Sequence, residues 1–328
     1  MKTVRWGVLG VSSHFLKRVI TPLLKSPLVE IYGLASRSGQ KAEQAARRFG
    51  LPAWYPSYEA LLEEPAIEAV YIPLPNHLHL EWIRKAARKG KHILCEKPLA
   101  LNAGEATEAV EEARGRGVLL MEAFMYRLHP TWRRAWELVR EGEIGRVQAV
   151  HTFYAYTNTD PANIRNRPEA GGGGLMDIGC YAVSSARFIF GCEPRRALSL
   201  IRRDAAFGID SLSSGILDFG EGRALFTVGT QTFPRQEVSI YGSAGRIVFR
   251  LPFNIYPDVP VGLRVVTSVG SRELRLGPAD QYGLEFEEFS KAVRGGGPAP
   301  TPAEDAVANM KVIDALFGSE KSGGWEEV

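Results

Sequence analysis

The sequence predicts an α/β chain in which a doubly wound parallel sheet precedes an α+β domain with a large, open, mainly antiparallel sheet. Through about residue 122, apolar strand-like runs alternate with amphipathic helical segments, which is the pattern of a parallel sheet wrapped by helices. From residue 146, strand-like runs follow one another with only turns between them, which predicts antiparallel pairing. We therefore assign residues 1–122 to the first domain and residues 123–328 to the second.

Composition narrows the class of protein. The chain has 328 residues, of which 45% are hydrophobic and 23% charged, and this is enough for two separate cores. Its net charge of +3 is small and spread out, so we expect neither a nucleic-acid partner nor a membrane partner. Cys95, Cys180 and Cys192 form no Cys-x-x-Cys pair, which predicts cytoplasmic use and neither a disulfide framework nor a metal site.

The elements of the first domain follow from the period of the apolar residues. Segments 40–49, 79–89 and 103–116 repeat near the helical period of 3.6. Short apolar runs between them predict strands at 5–9, 29–35, 69–72, 92–95 and 119–121.

The second domain is predicted from its dense series of strands. These are expected at 147–157, 198–201, 211–219, 224–232, 237–241, 246–249 and 263–269. Helices are predicted at 179–190, 283–294 and 303–318, with the glycine-rich loop 295–298 between the last two.

The turn after the first strand has features of a phosphate-binding turn. Gly10 fits the first position of the pattern Gly-x-Gly-x-x-Gly, whereas Ser12 and Phe15 stand at the other two glycine positions. A serine hydroxyl can donate to a phosphate oxygen, so Gly10, Ser12 and Ser13 are predicted contacts of a dinucleotide. An ordinary β-α turn is the alternative.

The turn after the second strand bears on the choice of cofactor. NAD-specific sheets keep a carboxylate here for the ribose hydroxyls, but this chain has Ser36, Arg37 and Ser38. Arg37 can bind a 2′-phosphate with two hydrogen bonds, and the serines can add to them, which favours NADP over NAD. The alternative is a solvated loop arginine beside a serine helix cap.

Two further motifs carry polar groups. Glu96, Lys97 and Pro98 end a buried strand, and the carboxyl ends of such strands face the crevice where open α/β sheets bind ligands. Downstream, four glycines at 171–174 precede Asp177 and Tyr181, which share one face at a helix start. A helix cap for Asp177 and a core position for Tyr181 are the structural alternatives.

Taken in order, these motifs resemble the glucose-fructose oxidoreductase / inositol dehydrogenase (Gfo/Idh/MocA) family of NAD(P)-dependent sugar and diol oxidoreductases. Residues 96–98, 121–127, 163–165 and 177–181 carry the resemblance. Within the family, the chain looks closest to NADP-using xylose-type aldose 1-dehydrogenases and dimeric dihydrodiol dehydrogenases. The resemblance implies a Rossmann fold in the first domain.

The resemblance also implies roles for single residues. Lys97 is the first choice as base and Tyr181 is its partner, although the residues alone leave open which of the two accepts the proton. Asp177 can orient a sugar hydroxyl or pair with Lys97. Pro73, Asn76, His79, Glu96 and Lys97 are expected on the nicotinamide side; the residues themselves also allow a helix-capping Asn76 and, for His77 and His79, a metal site. Substrate ligands are expected at Lys97, Arg127, Asn163, Arg165, Asp177 and Tyr181.

The function expected on this basis is hydride transfer between NADP and the C1 hydroxyl of an aldose, or a vicinal diol. An NAD-dependent inositol or amino-sugar dehydrogenase and a non-catalytic NADP-binding sensor are the alternatives. An open antiparallel sheet has two faces, and the predicted helices cover only one. A homodimer or a dimer of dimers through the second-domain sheet is therefore expected.

Overall fold

A computed structural model describes residues 2–328, and their contacts divide the chain into two units. The first unit contains the residues up to Met125 and, in addition, Tyr282–Val307. The second contains Tyr126–Gln281 and Ala308–Val328. This division differs from the expected one, in which every residue after 122 belonged to the second domain.

The described residues form α-helices, π turns and 3₁₀ turns. The helices are α1 (Ile20–Leu23), α2 (Gly39–Phe49), α3 (Tyr58–Leu62), α4 (His79–Arg88), α5 (Ala103–Gly115), α6 (Pro130–Arg140), α7 (Cys180–Phe190), α8 (Gln281–Gly295) and α9 (Glu304–Ser322). Two of them are extended at the N-terminal end by π turns, Phe15–Val19 before α1 and Leu175–Gly179 before α7. Single 3₁₀ turns lie at Asn76–Leu78, Met125–Leu128, Ile164–Asn166 and Pro168–Ala170.

The strands are β1 (Val4–Leu9), β2 (Val29–Ala35), β3 (Ala53–Tyr55), β4 (Ala69–Ile72), β5 (His92–Glu96), β6 (Leu120–Ala123), β7 (Val147–Thr157), β8 (Arg196–Arg203), β9 (Asp210–Asp218), β10 (Arg223–Gly229), β11 (Gln231–Gly242), β12 (Gly245–Phe249), β13 (Val261–Thr267), β14 (Gly270–Leu276) and β15 (Glu326–Glu327). The sequence did not predict β3, β14 and β15. β3 and β15 are very short, and β14 is mostly polar and exposed, so none presents an apolar run of strand length.

The first unit is a six-stranded parallel sheet in the order β3-β2-β1-β4-β5-β6. The chain runs outward in one direction from β1 and then returns to start again at β4, so the order reverses between these two strands. Ligands of doubly wound sheets bind at the carboxyl ends of the strands near that reversal. The fold therefore places the turns after β1, β4 and β5 at the expected binding edge.

Helix α8 packs on the first sheet through the indole of Trp6. The Trp6 ring centroid lies 4.6 Å from that of Phe286 and 5.5 Å from that of Phe289. Its indole N–H donates to the Ser290 hydroxyl at 3.1 Å. These contacts bury a strand of the N-terminal sheet beneath a helix near the C-terminus, which explains why residues 282–307 belong to the first unit.

The second unit is built on a nine-stranded sheet in the order β14-β13-β12-β11-β7-β10-β9-β8-β15. Strands β7 and β10 pair in parallel, and the other neighbours pair antiparallel. Alternate residues along β10 are buried, Ala224, Phe226 and Val228, as period-2 strands require. The sheet thus has one covered face and one face that is more exposed.

Two of the three cysteines behave as their apolar surroundings predict. Cys95 and Cys180 are buried and Cys192 is exposed, and all three are free thiols. Among residues 2–328, no helix combines the length and the apolar character needed to cross a bilayer.

Candidate active site

The turn after β1 has the backbone of a dinucleotide-binding turn but different side chains. Gly10 has φ +137°, a conformation that favours glycine. The Ser12 hydroxyl accepts the Phe15 N–H at 3.1 Å, which leaves its own proton available to a phosphate oxygen. Phe15 is buried with its ring centroid 5.9 Å from that of Tyr71. This ring occupies the third glycine position, where the helix begins as a π turn, while Ser13 is exposed beside it.

The turn after β2 is closed by its serines. The Ser36 hydroxyl accepts the Ser38 N–H at 3.2 Å, and Ser38 caps α2 by accepting the Lys41 N–H at 3.4 Å. Arg37 between them is exposed. The serine cap and an accessible arginine therefore coexist, and the turn 35–38 has no carboxylate that would repel a phosphate.

His79 joins the turns that follow β4 and β5. It is fully buried, with Nδ1 2.9 Å from the Pro98 carbonyl oxygen and Nε2 2.8 Å from the Leu74 carbonyl oxygen. Burial lowers its pKa, and the two carbonyls oppose that effect. Because both ring nitrogens have backbone partners, this histidine acts as a brace between two loops and is not placed as a metal ligand.

The other two residues expected beside His79 lie in the turn after β4. Pro73 packs near Gly10, where a Cβ added at Gly10 would lie 3.8 Å from its ring. Asn76 is the first residue of the 3₁₀ turn Asn76–Leu78, and Pro75 holds the capping position. Asn76 therefore does not occupy the capping position that was the alternative to a place on the nicotinamide side.

Lys97 is half-buried directly after β5, and the Lys97–Pro98 peptide bond is cis. The preceding Glu96 carboxylate accepts the Tyr71 hydroxyl at 2.5 Å and lies 4.0 Å from His14 Nε2. Beneath it, Glu285 of α8 is fully buried, and burial together with the charge of Glu96 raises its pKa well above the usual range. Tyr71 and Glu285 were not predicted as part of this region, since each is apolar-flanked and far from Glu96 in sequence.

On the second unit, Asp177 lies at the centre of a polar cluster. Its Oδ2 accepts the Tyr156 hydroxyl at 2.7 Å and the Arg165 Nε–H at 2.8 Å. The carboxylate charge raises the pKa of Arg165, and burial followed by that charge raises the pKa of Tyr156. Both donors therefore keep their protons, and Asp177 is arranged as a charged hydrogen-bond acceptor.

Tyr181 lies in the first turn of α7, four residues after Asp177, and is buried among aromatic rings. Its ring centroid is 5.1 Å from Phe253 and 5.9 Å from Tyr154. The Tyr154 hydroxyl accepts an amide N–H of Asn254 at 2.8 Å. Asp177 and Tyr181 therefore lie on one continuous helical segment, and the aromatic wall around Tyr181 includes Phe253, a residue that the sequence did not single out.

Two expected substrate ligands have structural partners. Arg127 is buried, donates to the Ser184 hydroxyl at 2.8 Å and lies over the Phe188 ring at 5.6 Å. Asn163 caps the 3₁₀ turn Ile164–Asn166 by accepting the Arg165 N–H at 3.0 Å. Arg127 thus braces α7, and Asn163 shapes the backbone that carries Arg165.

The glycine run at 171–174 packs against protein. The Gly172 N–H donates to the Arg167 carbonyl at 3.0 Å and the Gly173 N–H to the Arg165 carbonyl at 2.9 Å. A Cβ at Gly173 would overlap the carboxylate of Asp210. Within this unit the glycines allow close approach to Asp210 and the Arg165 segment.

Comparison with known proteins identifies two matching family models and several relatives of the chain. Residues 4–124 match a family model described as an oxidoreductase family with an NAD-binding Rossmann fold, and residues 132–248 match the GFO/IDH/MocA C-terminal domain. The chain is 37% identical over 325 residues to D-xylose 1-dehydrogenase (NADP(+)) 2 of Haloferax volcanii, which covers 98% of this chain and 99% of that protein.

Two further relatives come from Actinomadura kijaniata. The chain is 31% identical over 318 residues to dTDP-3,4-didehydro-2,6-dideoxy-alpha-D-glucose 3-reductase of Actinomadura kijaniata, with 95% and 94% of the two chains covered. A crystal structure of a 3-ketoreductase from Actinomadura kijaniata, in complex with NADP and TDP-benzene, is similar with a TM-score of 0.91 at 29% identity. That similarity covers 97% of this chain and 98% of the other.

Proposed function

Because the chain belongs to the GFO/IDH/MocA family of oxidoreductases, as its motifs suggested, we propose that it is an NADP-dependent enzyme that transfers a hydride between nicotinamide and a sugar. The preferred substrate is the C1 hydroxyl of an aldose or a vicinal diol. The observation that carries the proposal is the position of Lys97 at the carboxyl end of β5, two strands from the turn of Gly10. Ligands of doubly wound sheets bind at that edge.

The residues of the first unit fit a dinucleotide with a 2′-phosphate. Gly10 and Ser12 would hold the pyrophosphate, because a backbone at φ +137° and a hydroxyl proton are both available there. Arg37, with Ser36 and Ser38 beside it, would hold the 2′-phosphate. The xylose dehydrogenase of Haloferax volcanii is named for NADP, which supports this preference; NAD remains the second cofactor to test.

When bound, the nicotinamide ring supplies the hydride acceptor in oxidation or the donor in reduction. The chain itself has to bind and orient the sugar and to move one proton at its reacting oxygen. We assign that proton to Lys97 and Tyr181 acting as a pair. Asp177, held between Arg165 and Tyr156, would accept a hydrogen bond from a neighbouring sugar hydroxyl.

The first experiment is a substrate screen. Purified protein is mixed with NADP or NAD and with aldoses, vicinal diols, inositols and dTDP-linked sugars, and the reduced-nicotinamide absorbance is followed. We expect turnover of an aldose or a diol with NADP. If NADP binds but no substrate in either direction is turned over, the protein is a sensor and the proposal is wrong.

The second experiment tests the pair. Lys97→Met and Tyr181→Phe are each expected to lower single-turnover hydride transfer by about 10²–10⁴-fold, with NADP affinity nearly unchanged. The double variant should lose little more than the worse single variant, because members of one proton relay are not additive. Lys89→Met and Tyr256→Phe are controls that make the same chemical changes at exposed positions. Near-normal rates in both single variants would contradict the assignment.

A further inference from the structure

Asp210 is a buried carboxylate that the proposed mechanism does not use. It is the first residue of β9 and only 2% exposed. Its Oδ2 accepts the Leu175 backbone N–H at 2.6 Å and the Ser213 hydroxyl at 3.0 Å. A negative charge is retained away from water only where it has strong partners. The contacts of this buried side chain therefore indicate a role for it.

The first contact fixes the beginning of a helix. Leu175 opens the π turn that continues into α7, and Asp177 and Tyr181 both project from this segment. The first N–H groups of a helix have no partner within the helix, and an acidic side chain that accepts one of them stabilises that end. The Asp210 carboxylate therefore sets where the segment with both polar groups begins.

The Asp210 carboxylate also packs against the glycine loop 171–174. Gly173 has φ +109°, and its missing Cβ leaves the space that the Asp210 carboxylate occupies. The Gly173 carbonyl accepts the Asp177 N–H at 3.0 Å, and its N–H donates to the Arg165 carbonyl at 2.9 Å. One carboxylate is thereby connected to the backbone of both Asp177 and Arg165.

We propose that Asp210 is a positioning residue for the substrate half of the site. It holds Asp177, Arg165 and Tyr181 in their relative positions through the glycine loop and the start of α7. The inference rests on the proposed function, since these three groups are its substrate ligands. Asp210 acts through the backbone and touches none of the reacting atoms.

The ionised form of Asp210 is the form that can hold both donors well. Burial raises its pKa to about 6, while the bonds from Leu175 and Ser213 oppose that rise. Below this pH one oxygen carries a proton, and the bond to the Leu175 N–H is no longer assisted by charge. The charged groups on the elements packed against it are Arg203 and Asp204 at the turn after β8, Glu320 that pairs with Arg203, and Asp177 with its partner Arg165.

The contribution of Asp210 to folding stability and its ability to position the substrate ligands change in opposite directions with pH. A carboxyl whose folded pKa is raised adds to folding stability while it is protonated, and that contribution is lost as the pH rises from 3.8 through about 6. Positioning, in contrast, improves over the same range. Asp210→Asn keeps the shape of the protonated form at every pH, so it separates the two effects.

The test compares Asp210→Asn with Asp218→Asn, the same change at the far, less buried end of β9. In Asp210→Asn we expect kcat/KM for the sugar to fall about 10- to 100-fold at pH 8, with unchanged NADP affinity and no loss of thermal stability. The acidic limb near pH 6 in the wild-type profile should disappear in Asp210→Asn. Ser213→Ala removes one bond to the carboxylate and should move that limb to higher pH. Asp218→Asn should behave as the wild type.

A measurement without substrate keeps this result separate from the proposed function. Amide hydrogen exchange of residues 172–181 should be faster in Asp210→Asn than in Asp218→Asn at pH 8. If the wild type turns over no sugar or diol, the proposed function is wrong and exchange alone decides on Asp210. Unchanged exchange, or a loss of kcat/KM that only follows a loss of stability, would overturn the positioning role.

Discussion

Arg37 is the residue on which cofactor choice depends most directly. It is exposed in a turn whose two serine hydroxyls accept backbone N–H groups, so its guanidinium is the charged group available to a 2′-phosphate. We predict that Arg37→Ala weakens NADP binding by roughly 1.5–3 kcal/mol and leaves NAD binding nearly unchanged, because only NADP has the phosphate. Calorimetric titration of both cofactors measures this difference.

The control for Arg37 is Arg47→Ala on α2, where an exposed arginine pairs with Glu43. It removes the same charge one helix length away and should change neither affinity by more than about 0.5 kcal/mol. Tighter binding of NAD than of NADP by the unmutated protein would refute the assignment of Arg37.

His79 shows how a local motif can suggest a residue without revealing what it contacts. Its position after β4 marked it for the nicotinamide side, but the ring is buried and bridges the Leu74 and Pro98 carbonyls. We propose that it supports the cofactor site by joining those two turns, one of which follows Lys97. The sequence could not reveal this, because the two carbonyls come from separate turns.

At the scale of elements, the glycine loop and β9 depend on each other. We predict that Gly173→Ala lowers the free energy of unfolding by about 1–3 kcal/mol more than Gly142→Ala, as measured by urea denaturation. Both positions have positive φ and share the strain of a Cβ in that conformation, roughly 1–2 kcal/mol. Only at Gly173 does the new methyl group also meet the Asp210 carboxylate, whereas nothing lies within 4 Å at Gly142.

Equal losses in the two glycine variants would mean that the loop can move away from Asp210. The carboxylate would then not fix the start of α7. A normal Asp210→Asn variant together with a strongly destabilised Gly173→Ala variant would instead show that only the space at Gly173 matters.

Helix α8 illustrates what element-level prediction misses. Its amphipathic period predicted a helix at 283–294, and the observed helix spans Gln281–Gly295. Its assignment to the first unit depends on Trp6, Phe286, Phe289 and Ser290, and the bond from Trp6 to Ser290 joins residues 284 positions apart. No local pattern reports a partner at that distance.

For the whole molecule, the more exposed face of the nine-stranded sheet supports the expected self-association. Leu200 on this face is 79% exposed, and, two residues along the same strand, Leu198 pairs with Ile216, which in turn pairs with Leu225 on the next strand. Exposed apolar side chains grouped on a sheet face are a feature of interfaces. We predict a homodimer or a dimer of dimers in solution, formed through this face, and light scattering at micromolar concentration measures its mass.

Leu200→Glu places a charge on the proposed interface and should shift the protein toward its monomer mass of 36.1 kDa. Val269→Glu is the control, since Val269 is 95% exposed but lies in the turn between β13 and β14. A wild-type mass of one chain, or equal behaviour of the two variants, would contradict assembly through this face.

The sequence by itself determined the two sheets, most strand and helix positions, the turn of Gly10, Lys97 at a strand end, and Asp177 with Tyr181 on one short segment. These are local features, because strand and helix periods repeat within a few residues and turns follow directly from them. Only the tertiary structure decided that α8 covers the first sheet, that Arg127 and His79 are internal braces, and that Asp210 holds the backbone of Leu175 from 35 positions away. Such contacts arise when distant segments bury surface together, and their free energy has no counterpart in the local pattern of the chain.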